Sequence, residues 1–313
     1  MIISASRRTD IPAYYSDWFF NRIKERYVLV RNPMNFHQIS KIDLSPDVVD
    51  CIVFWTKNPE PMLDKLDKLK GYNFYFQFTL SSYAQDVESN VPSKSRCIID
   101  TFKRLSTTIG SEKVIWRYDP IFINRKYTSE YHIEYFEKLA RELKDFTEKC
   151  TISFLDYYPK IKRNIKLLEI SEMSLTQQEK LAEQLAKIAY EYGLKIDTCC
   201  EGLDLRKLGI GHAKCIDDEL ISRIIGSPLK VKKDKNQRLE CGCVSSIDIG
   251  LYNTCANGCK YCYANHSLAV VQKNRQKYDP KSPLLCSQVG LDDVIREREV
   301  KSLQDSQLNL FNN

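Results

Sequence analysis

Three cysteines near the end of the sequence have a spacing that could support metal chemistry. They lie in the segment Cys255-Ala-Asn-Gly-Cys259-Lys-Tyr-Cys262, a C-x3-C-x2-C pattern that we call the first cysteine group. Thiolates this close together can hold three irons of a [4Fe-4S] cluster on one loop, which leaves the fourth iron without a protein ligand. That open iron can chelate a small molecule. The spacing therefore favours an iron–sulfur centre that binds a cofactor directly.

Two other uses of closely spaced cysteines compete with this interpretation. Structural zinc prefers two separated cysteine pairs that complete a tetrahedron, and no fourth cysteine lies inside the motif. A disulfide set is the other alternative. It is less expected because residues 1–8 lack the long apolar core of a signal peptide, so we expect a reducing, cytoplasmic location.

The first cysteine group, with Tyr261 directly before Cys262, resembles the C-x3-C-x-aromatic-C motif of the radical S-adenosylmethionine enzymes. The resemblance implies a [4Fe-4S] cluster whose open iron binds S-adenosylmethionine. Reductive cleavage of that cofactor would give a 5'-deoxyadenosyl radical, which takes hydrogen from a substrate. It also implies an electron donor, such as a reductase or a flavodoxin. Tyr261 would shield the cluster or face the adenine, and Asn253, where the loop begins, is a further cofactor-binding candidate.

A second cysteine group precedes the first. We assign to it Cys199, Cys215, Cys241 and Cys243. The glycine between the last two lets both thiolates face one ion. Four cysteines can hold a complete [4Fe-4S] cluster or a tetrahedral zinc ion, and the spacing does not separate these two or exclude cysteines without metal.

Strands and helices alternate along the chain. The predicted strands are 2–6, 28–31, 49–55, 73–80, 113–118, 150–155, 194–199 and 247–252. The predicted helices are 11–26, 58–70, 94–108, 130–148, 174–192 and 266–277. Because alternation of this kind produces a parallel sheet with helices outside, we predict an α/β fold, a full or partial (βα) barrel of the TIM type with about eight strands.

The position of the cysteine loop predicts an unusual strand order. Strand 247–252, the cysteine loop and helix 266–277 resemble the first βα unit of a radical S-adenosylmethionine barrel, but they lie late in the sequence. The barrel would then be circularly permuted, with strand 247–252 beside strand 2–6. We expect one domain over residues 1–302, with a cysteine-rich segment at 199–266 and a loose tail at 303–313.

Polar side chains cluster where the predicted strands end, which is where the catalytic residues of a parallel barrel lie. The candidate catalytic residues are Arg7, Arg8, Asp10, Lys57, Arg117 and Asp119. Glu201 is a third candidate for binding the cofactor, and Asp156 is a further hydrogen-bond acceptor. The competing interpretation is that these charges only pair with one another beneath the loops.

The overall composition sets few limits on partners. The chain of 313 residues is 43% hydrophobic and 28% charged, with a formal net charge of +6, which is ordinary for a globular protein. No apolar stretch approaches the ~20 residues that span a bilayer, so no membrane association is expected. A basic run at 230–238 is typical of a solvated loop, although a polyanionic substrate such as nucleic acid would also account for it.

Longer motifs over about residues 1–266 resemble an uncharacterised prokaryotic family, the domain of unknown function 1848. They are SASRRTDIPA at 4–13, FWTKNP at 54–59, YFQFT at 75–79, WRYDP at 116–120, CCEGLDL at 199–205, KCID at 214–217, NQRLECGC at 236–243, DIGLYNTC at 248–255 and CKYCYA at 259–264. The resemblance implies a radical S-adenosylmethionine-like protein and leaves its substrate undefined. Since the family usually has one cysteine followed by a small residue at position 199, it favours Cys199 as the ligand and leaves Cys200 as a substitute.

The leading hypothesis is therefore a radical S-adenosylmethionine enzyme with a second four-cysteine metal site, acting on an unknown substrate. One alternative is a non-catalytic iron–sulfur or zinc-binding protein. Another is an enzyme of nucleic-acid modification or repair, which the basic run suggests.

Overall fold

A computed structural model describes residues 1–157 and 161–305. Its strands are β1 Ile2–Ala5, β2 Tyr27–Arg31, β3 Gln38–Asp43, β4 Cys51–Thr56, β5 Phe74–Thr79, β6 Val114–Ile121, β7 Lys149–Phe154, β8 Lys195–Thr198, β9 Gly211–His212, β10 Ile247–Asp248 and β11 Val294–Glu297. Its α-helices are α1 Ile11–Tyr14, α2 Ser16–Glu25, α3 Glu60–Leu63, α4 Ile99–Ile109, α5 Ser129–Leu143, α6 Lys162–Lys166, α7 Leu175–Glu191, α8 Asp218–Ile225 and α9 Leu268–Arg275.

Shorter helical turns complete the secondary structure. The 3-10 turns are Leu66–Leu69, Ser111–Lys113 and Arg206–Leu208, and Lys94–Ile98 is a π-helical turn before α4. None of the described helices has the length and apolar character needed to cross a membrane. Most of the predicted tail, residues 306–313, lies outside the described residues.

Eight strands form one sheet in the order β10-β1-β4-β5-β6-β7-β8-β9, and neighbouring strands are parallel throughout. The prediction of an α/β fold with a large parallel sheet is confirmed. Among the described residues, no ladder joins the edge strands β9 and β10, so the sheet is open. An open sheet of this kind is consistent with a partial barrel or with an open doubly wound fold.

Side chains alternate between the two faces of this sheet. On the outer face, Phe54, Phe76 and Trp116 belong to the large hydrophobic core that the helices cover. On the other face, which we call the inner face, Val53 and Ile115 pack in a smaller core with residues of α8. Residues two positions further along β4 and β6 therefore share the inner face with them.

The strand before the first cysteine group lies beside the first strand of the chain, as predicted. Ile247 pairs with Ile3 and Asp248 pairs with Ser4 in a parallel ladder. The ladder is shorter than the predicted strand, because the chain leaves the sheet after Asp248 and turns at Tyr252 and Asn253. A side chain at Gly250 would collide with the side chain of Ser6, so this close approach of two segments requires glycine.

The assignment of segment 28–31 to the barrel was wrong. β2 pairs antiparallel with β3, and β3 pairs parallel with β11, in a separate three-stranded sheet. The cause is local, since α2 ends in a left-handed residue, Arg26, and β2 then pairs with the next segment of the chain. The eighth strand of the large sheet is β9 instead, whose two residues carry no hydrophobic pattern.

Several predicted helices are present with altered bounds. Segment 11–26 is broken into α1 and α2, because Tyr15 leaves the helical conformation with φ −136°. Segment 58–70 is α3 followed by a 3-10 turn. α7 begins as the sequence predicted: the Ser174 side chain accepts a hydrogen bond from the Gln177 amide, and the Gln177 side chain accepts one from the Ser174 amide.

Candidate functional site

The carboxyl ends of parallel strands meet at one edge of a sheet, which we call the mouth. Arg7 and Arg8 follow β1, and Lys57 follows β4. β6 itself supplies Arg117 and Asp119. Residues 199–201 follow β8, and the loop of the first cysteine group follows β10. The fold therefore brings the predicted site residues to a single edge.

The first cysteine group lies in a tightly turned loop. Asn253 and Gly258 have positive φ angles of 60° and 70°, which bend the chain on either side of Cys255. Cys255 is buried, whereas Cys259 and Cys262 are half-buried. Burial, together with the negative charges of Asp10 and Cys262, raises the pKa of the Cys255 thiol to about 12. The three thiols are thus close enough to influence one another's charge.

Asp10 stabilises this loop through hydrogen bonds. Its carboxylate accepts hydrogen bonds from the Asn257 side chain at 2.9 Å and from the Lys57 amide at 2.8 Å. The Tyr14 hydroxyl donates a hydrogen bond to the side-chain oxygen of Asn257 at 2.9 Å. Asp10 also caps α1 through the Ala13 amide at 3.1 Å. Asp10, one of the candidate catalytic residues, is therefore placed to position the loop.

A buried carboxylate, Glu88, lies behind the first cysteine group. Lys57 and Lys94 each place an ammonium group 2.8 Å from it, and the Tyr261 hydroxyl donates to it. Burial alone would raise the pKa of Glu88, but the two lysines outweigh burial and the pKa is lowered. Sequence reasoning missed Glu88, because it belongs to no motif. The available signal was only that Lys57 would need a partner once buried.

Arg8 and Arg7 both contact the segment around β10. Arg8 donates to the Gly250 carbonyl at 3.3 Å, and its Nε lies 3.8 Å from Asp248. The Arg7 amide donates to the Asp248 carboxylate at 2.8 Å, and Arg7 Nη2 donates to the Ser246 hydroxyl at 3.4 Å.

Two arginines approach one tryptophan on the inner face. The guanidinium carbons of Arg7 and Arg117 lie 5.6 Å and 5.4 Å from the ring centre of Trp55. Arg117 also donates to the Cys215 sulfur at 2.9 Å, and it forms an ion pair with Asp119. The ion pair between the candidate residues Arg117 and Asp119 therefore extends from the mouth to the second cysteine group.

The second cysteine group converges in space. Cys199 Sγ lies 3.1 Å from Cys215 Sγ. The pKa of the Cys215 thiol is lowered by hydrogen bonds to the thiols of Cys199 and Cys243. The pKa of the Cys241 thiol falls to about 6 because the Cys243 thiol bonds to it. Neighbouring thiols thus run in the order 199, 215, 243 and 241.

Cys200, the alternative ligand, lies apart from this sequence of contacts. It has a positive φ of 61°, and its thiol hydrogen-bonds to the Arg238 side chain. Within the described part of the chain, no set of three or more His, Cys, Asp and Glu side chains is already arranged to hold a metal ion. Ligation by the second cysteine group would therefore need small movements of its thiols.

The three cofactor-binding candidates have different surroundings. Tyr261 is buried and packs with Tyr83 and Phe122. Asn253 accepts a hydrogen bond from the His266 amide at 2.5 Å and is thus part of the loop's own structure.

Glu201 is half-buried at the mouth. It accepts a hydrogen bond from the Phe154 amide at 2.7 Å. Burial raises the pKa of Glu201 to about 7, so this carboxyl group can exchange a proton near neutral pH.

Several charges of the basic run are paired within the protein. Lys230 lies 2.8 Å from Asp305, and Arg238 lies 2.7 Å from Asp156. Lys233 donates to the Leu239 carbonyl at 2.5 Å, a contact between the basic run and the residue that directly follows it. These contacts account for part of the run without a polyanionic partner.

Most of this chain matches one protein family. A family model described as "Domain of unknown function (DUF1848)" matches residues 2–264, which include both cysteine groups and every candidate residue of the mouth. Comparison with curated proteins and with solved structures gave no match.

Proposed function

This chain belongs to the DUF1848 family, and we propose that it is a radical S-adenosylmethionine enzyme that acts on a C–H bond of its substrate. One observation carries the proposal. The three thiols of the first cysteine group lie in one loop at the mouth, directly after a strand that pairs with β1. This is the position at which a parallel α/β sheet binds its reactive groups.

The residues around the first cysteine group fit an iron–sulfur cluster. A cysteine thiol must lose its proton to bind iron as a thiolate. Burial raises the pKa of the Cys259 and Cys262 thiols and so opposes this deprotonation. The nearby positive charge of Lys57 offsets part of that rise, which favours the thiolates. When bound, an open [4Fe-4S] cluster would supply the electron for reductive cleavage of S-adenosylmethionine.

The mouth also offers what the proposed cofactor needs. Arg8 is partly exposed and can pair with its carboxylate, while Asp119 and Glu201 can accept hydrogen bonds from its ammonium or ribose groups. Tyr261 is buried against Cys259 and Glu88, which favours its role as a shield for the cluster over contact with the adenine.

The open sheet is best interpreted as a partial, circularly permuted barrel of the radical S-adenosylmethionine type. Placement of β10 beside β1 supports this, since the cluster loop then follows an edge strand at the mouth. The second cysteine group would hold a second metal centre, either a [4Fe-4S] cluster or zinc.

Anaerobic reconstitution tests the proposal. The protein is loaded with iron and sulfide, reduced with dithionite or a reduced flavodoxin, and mixed with S-adenosylmethionine. We expect broad iron–sulfur absorption and release of 5'-deoxyadenosine. Cys262→Ala should lose this release, whereas Cys97→Ala, at an exposed cysteine outside both groups, should retain it. Stoichiometric zinc without iron or labile sulfide, and no 5'-deoxyadenosine, would instead identify a non-catalytic metal protein.

A further inference from the structure

The second cysteine group raises the question of which metal it holds. We infer that Cys199, Cys215, Cys241 and Cys243 bind a single ion of the zinc class in a closed four-thiolate site, whose negative charge is offset by Arg7 and Arg117. This inference rests on the second metal centre of the proposed function, but it does not depend on cleavage of S-adenosylmethionine.

The spacing of the sulfur atoms favours one ion over a cluster. Zinc–sulfur bonds of about 2.3 Å in a tetrahedron place neighbouring sulfurs about 3.8 Å apart. The sulfurs of Cys199 and Cys215 are 3.1 Å apart, so they need to separate by only about 0.7 Å to share an ion. A [4Fe-4S] cube binds each thiolate at a different iron and requires a wider separation.

The short Cys241-Gly-Cys243 segment supports the same conclusion. Its two thiols are already hydrogen-bonded to each other, and the Cys243 sulfur also accepts a hydrogen bond from the Ile216 amide at 3.4 Å. An amide donor to a ligating sulfur is a usual outer contact of a metal site. The Cys241 and Cys243 thiols are therefore close enough to bind the same ion.

Two arginines, the buried Arg117 and the half-buried Arg7, provide the charge that such a site requires. A divalent ion with four thiolates has a net charge of about −2, which is costly to bury without cations nearby. Arg117 donates to the Cys215 sulfur at 2.9 Å. Arg7 faces the thiols of Cys215 and Cys243, its buried Nε has no hydrogen-bond partner in the described structure, and it forms no ion pair with a carboxylate there. Trp55 and Asp248 also attract the Arg7 guanidinium, and a negatively charged four-thiolate site would add to that attraction.

The four cysteines come from both edges of the open sheet. Cys199 follows β8 and Cys215 follows β9, whereas Cys241 and Cys243 precede β10. The Val244 amide donates to the Ile216 carbonyl at 3.2 Å, which brings the two edges together at this point. An ion bound here would join the edges that no ladder connects among the described residues, and its binding free energy would stabilise the fold.

The test uses the full chain with Cys255, Cys259 and Cys262 all replaced by Ser, so that the first cysteine group cannot hold metal. The reduced, chelator-treated protein is titrated with Co²⁺ and then with Zn²⁺. We expect one ion per chain, the absorption of tetrahedral four-thiolate cobalt, and its displacement by zinc. Adding Cys215→Ser should abolish this absorption, and adding Cys97→Ser should not.

The role of Arg7 is tested in the same background. Arg7→Gln should weaken zinc binding by about 10–100-fold, as loss of outer contacts to a metal site does. Arg7→Lys, which keeps the charge, should recover most of that loss, and Arg206→Gln at the surface should change nothing. Equal affinities for Arg7→Gln and the parent would overturn the charge argument.

Two results would overturn the single-ion assignment. Four irons and four labile sulfides per chain, after anaerobic reconstitution of the triple variant, would identify a cluster instead. Failure to bind cobalt, zinc or iron would show that the second cysteine group is not a metal site. Neither result concerns 5'-deoxyadenosine release by the native chain, so failure here is distinct from failure of the proposed activity.

Discussion

The ammonium group of Lys57 lies 2.8 Å from the carboxylate of Glu88. This buried ion pair connects the end of β4 to the segment that lies against Cys259. Glu88 forms an isolated antiparallel bridge with Cys259, and the Lys260 amide donates to the Val87 carbonyl at 3.0 Å. Only 1% of the Glu88 side chain is exposed. The position of the first cysteine group therefore depends on a charge network outside its own motif.

Replacing Glu88 with Gln should destabilise the protein strongly. Lys57 and Lys94 would keep their charges in a buried place without a counter-charge, and removal of one partner of a buried ion pair typically costs about 3–5 kcal/mol. Urea unfolding of the variant measures this. Glu297→Gln, which breaks the exposed ion pair with Lys41, is the control and should leave the midpoint almost unchanged. A similar small effect for both variants would contradict the role assigned to Glu88.

Replacing Asp10 with Ala should release the cysteine loop while leaving most of the fold intact. The Asn257 side chain and the Lys57 amide would lose their acceptor, at a cost of about 1–3 kcal/mol for each orphaned donor. We expect iron in the first cysteine group to be lost and metal in the second to remain. Iron and sulfide analysis after reconstitution checks this, with Asp17→Ala, at an exposed carboxylate, as the control. Full retention of iron would show that the loop does not need Asp10.

The parallel sheet could be predicted from the sequence, because the alternation of strands and helices is a local pattern. The sequence also predicted that Cys199 and Cys215 belong to one group, and their sulfurs lie 3.1 Å apart. The pairing of the segment before Cys255 with the first strand also followed from the motif's resemblance to a βα unit. The role of Glu88 could not be predicted, since it depends on the distance to two lysines from other parts of the chain. Strand β9 could not be predicted either. Its two residues, Gly211 and His212, pair with β8 through backbone hydrogen bonds, and their side chains show no hydrophobic alternation.

Single cysteine replacements should separate the two groups. Cys259→Ala should abolish cleavage of S-adenosylmethionine and leave the second metal in place, because the open cluster needs all three thiolates of its loop. Cys241→Ala should lose the second metal and destabilise the segment between Cys199 and Cys243, since metal binding is coupled to folding. Iron, sulfide and zinc per chain are measured in each variant, and hydrogen exchange reports on the segment. Unchanged metal content in either variant would show that the division into three and four ligands is wrong.

The raised pKa of Glu201 predicts a dependence of stability on pH. The folded protein binds a proton at a pKa of about 7, whereas the unfolded chain binds it near the ordinary value of 4.5. Between these pH values the folded state holds a proton that the unfolded chain has lost, so a rise in pH reduces stability. By pH 8 the cost is about 3 kcal/mol.

Glu201→Gln removes this titration and should still accept the hydrogen bond from the Phe154 amide. Relative to the native chain, we expect the variant to be more stable at pH 8 than at pH 4.5 by about 3 kcal/mol. Buried His132, whose pKa is lowered to about 4, changes stability in the opposite direction over the same range. That effect cancels because both proteins contain His132. The measurement is urea unfolding of both proteins at several pH values, and a difference that stays constant with pH would mean that Glu201 is not protonated in the folded state.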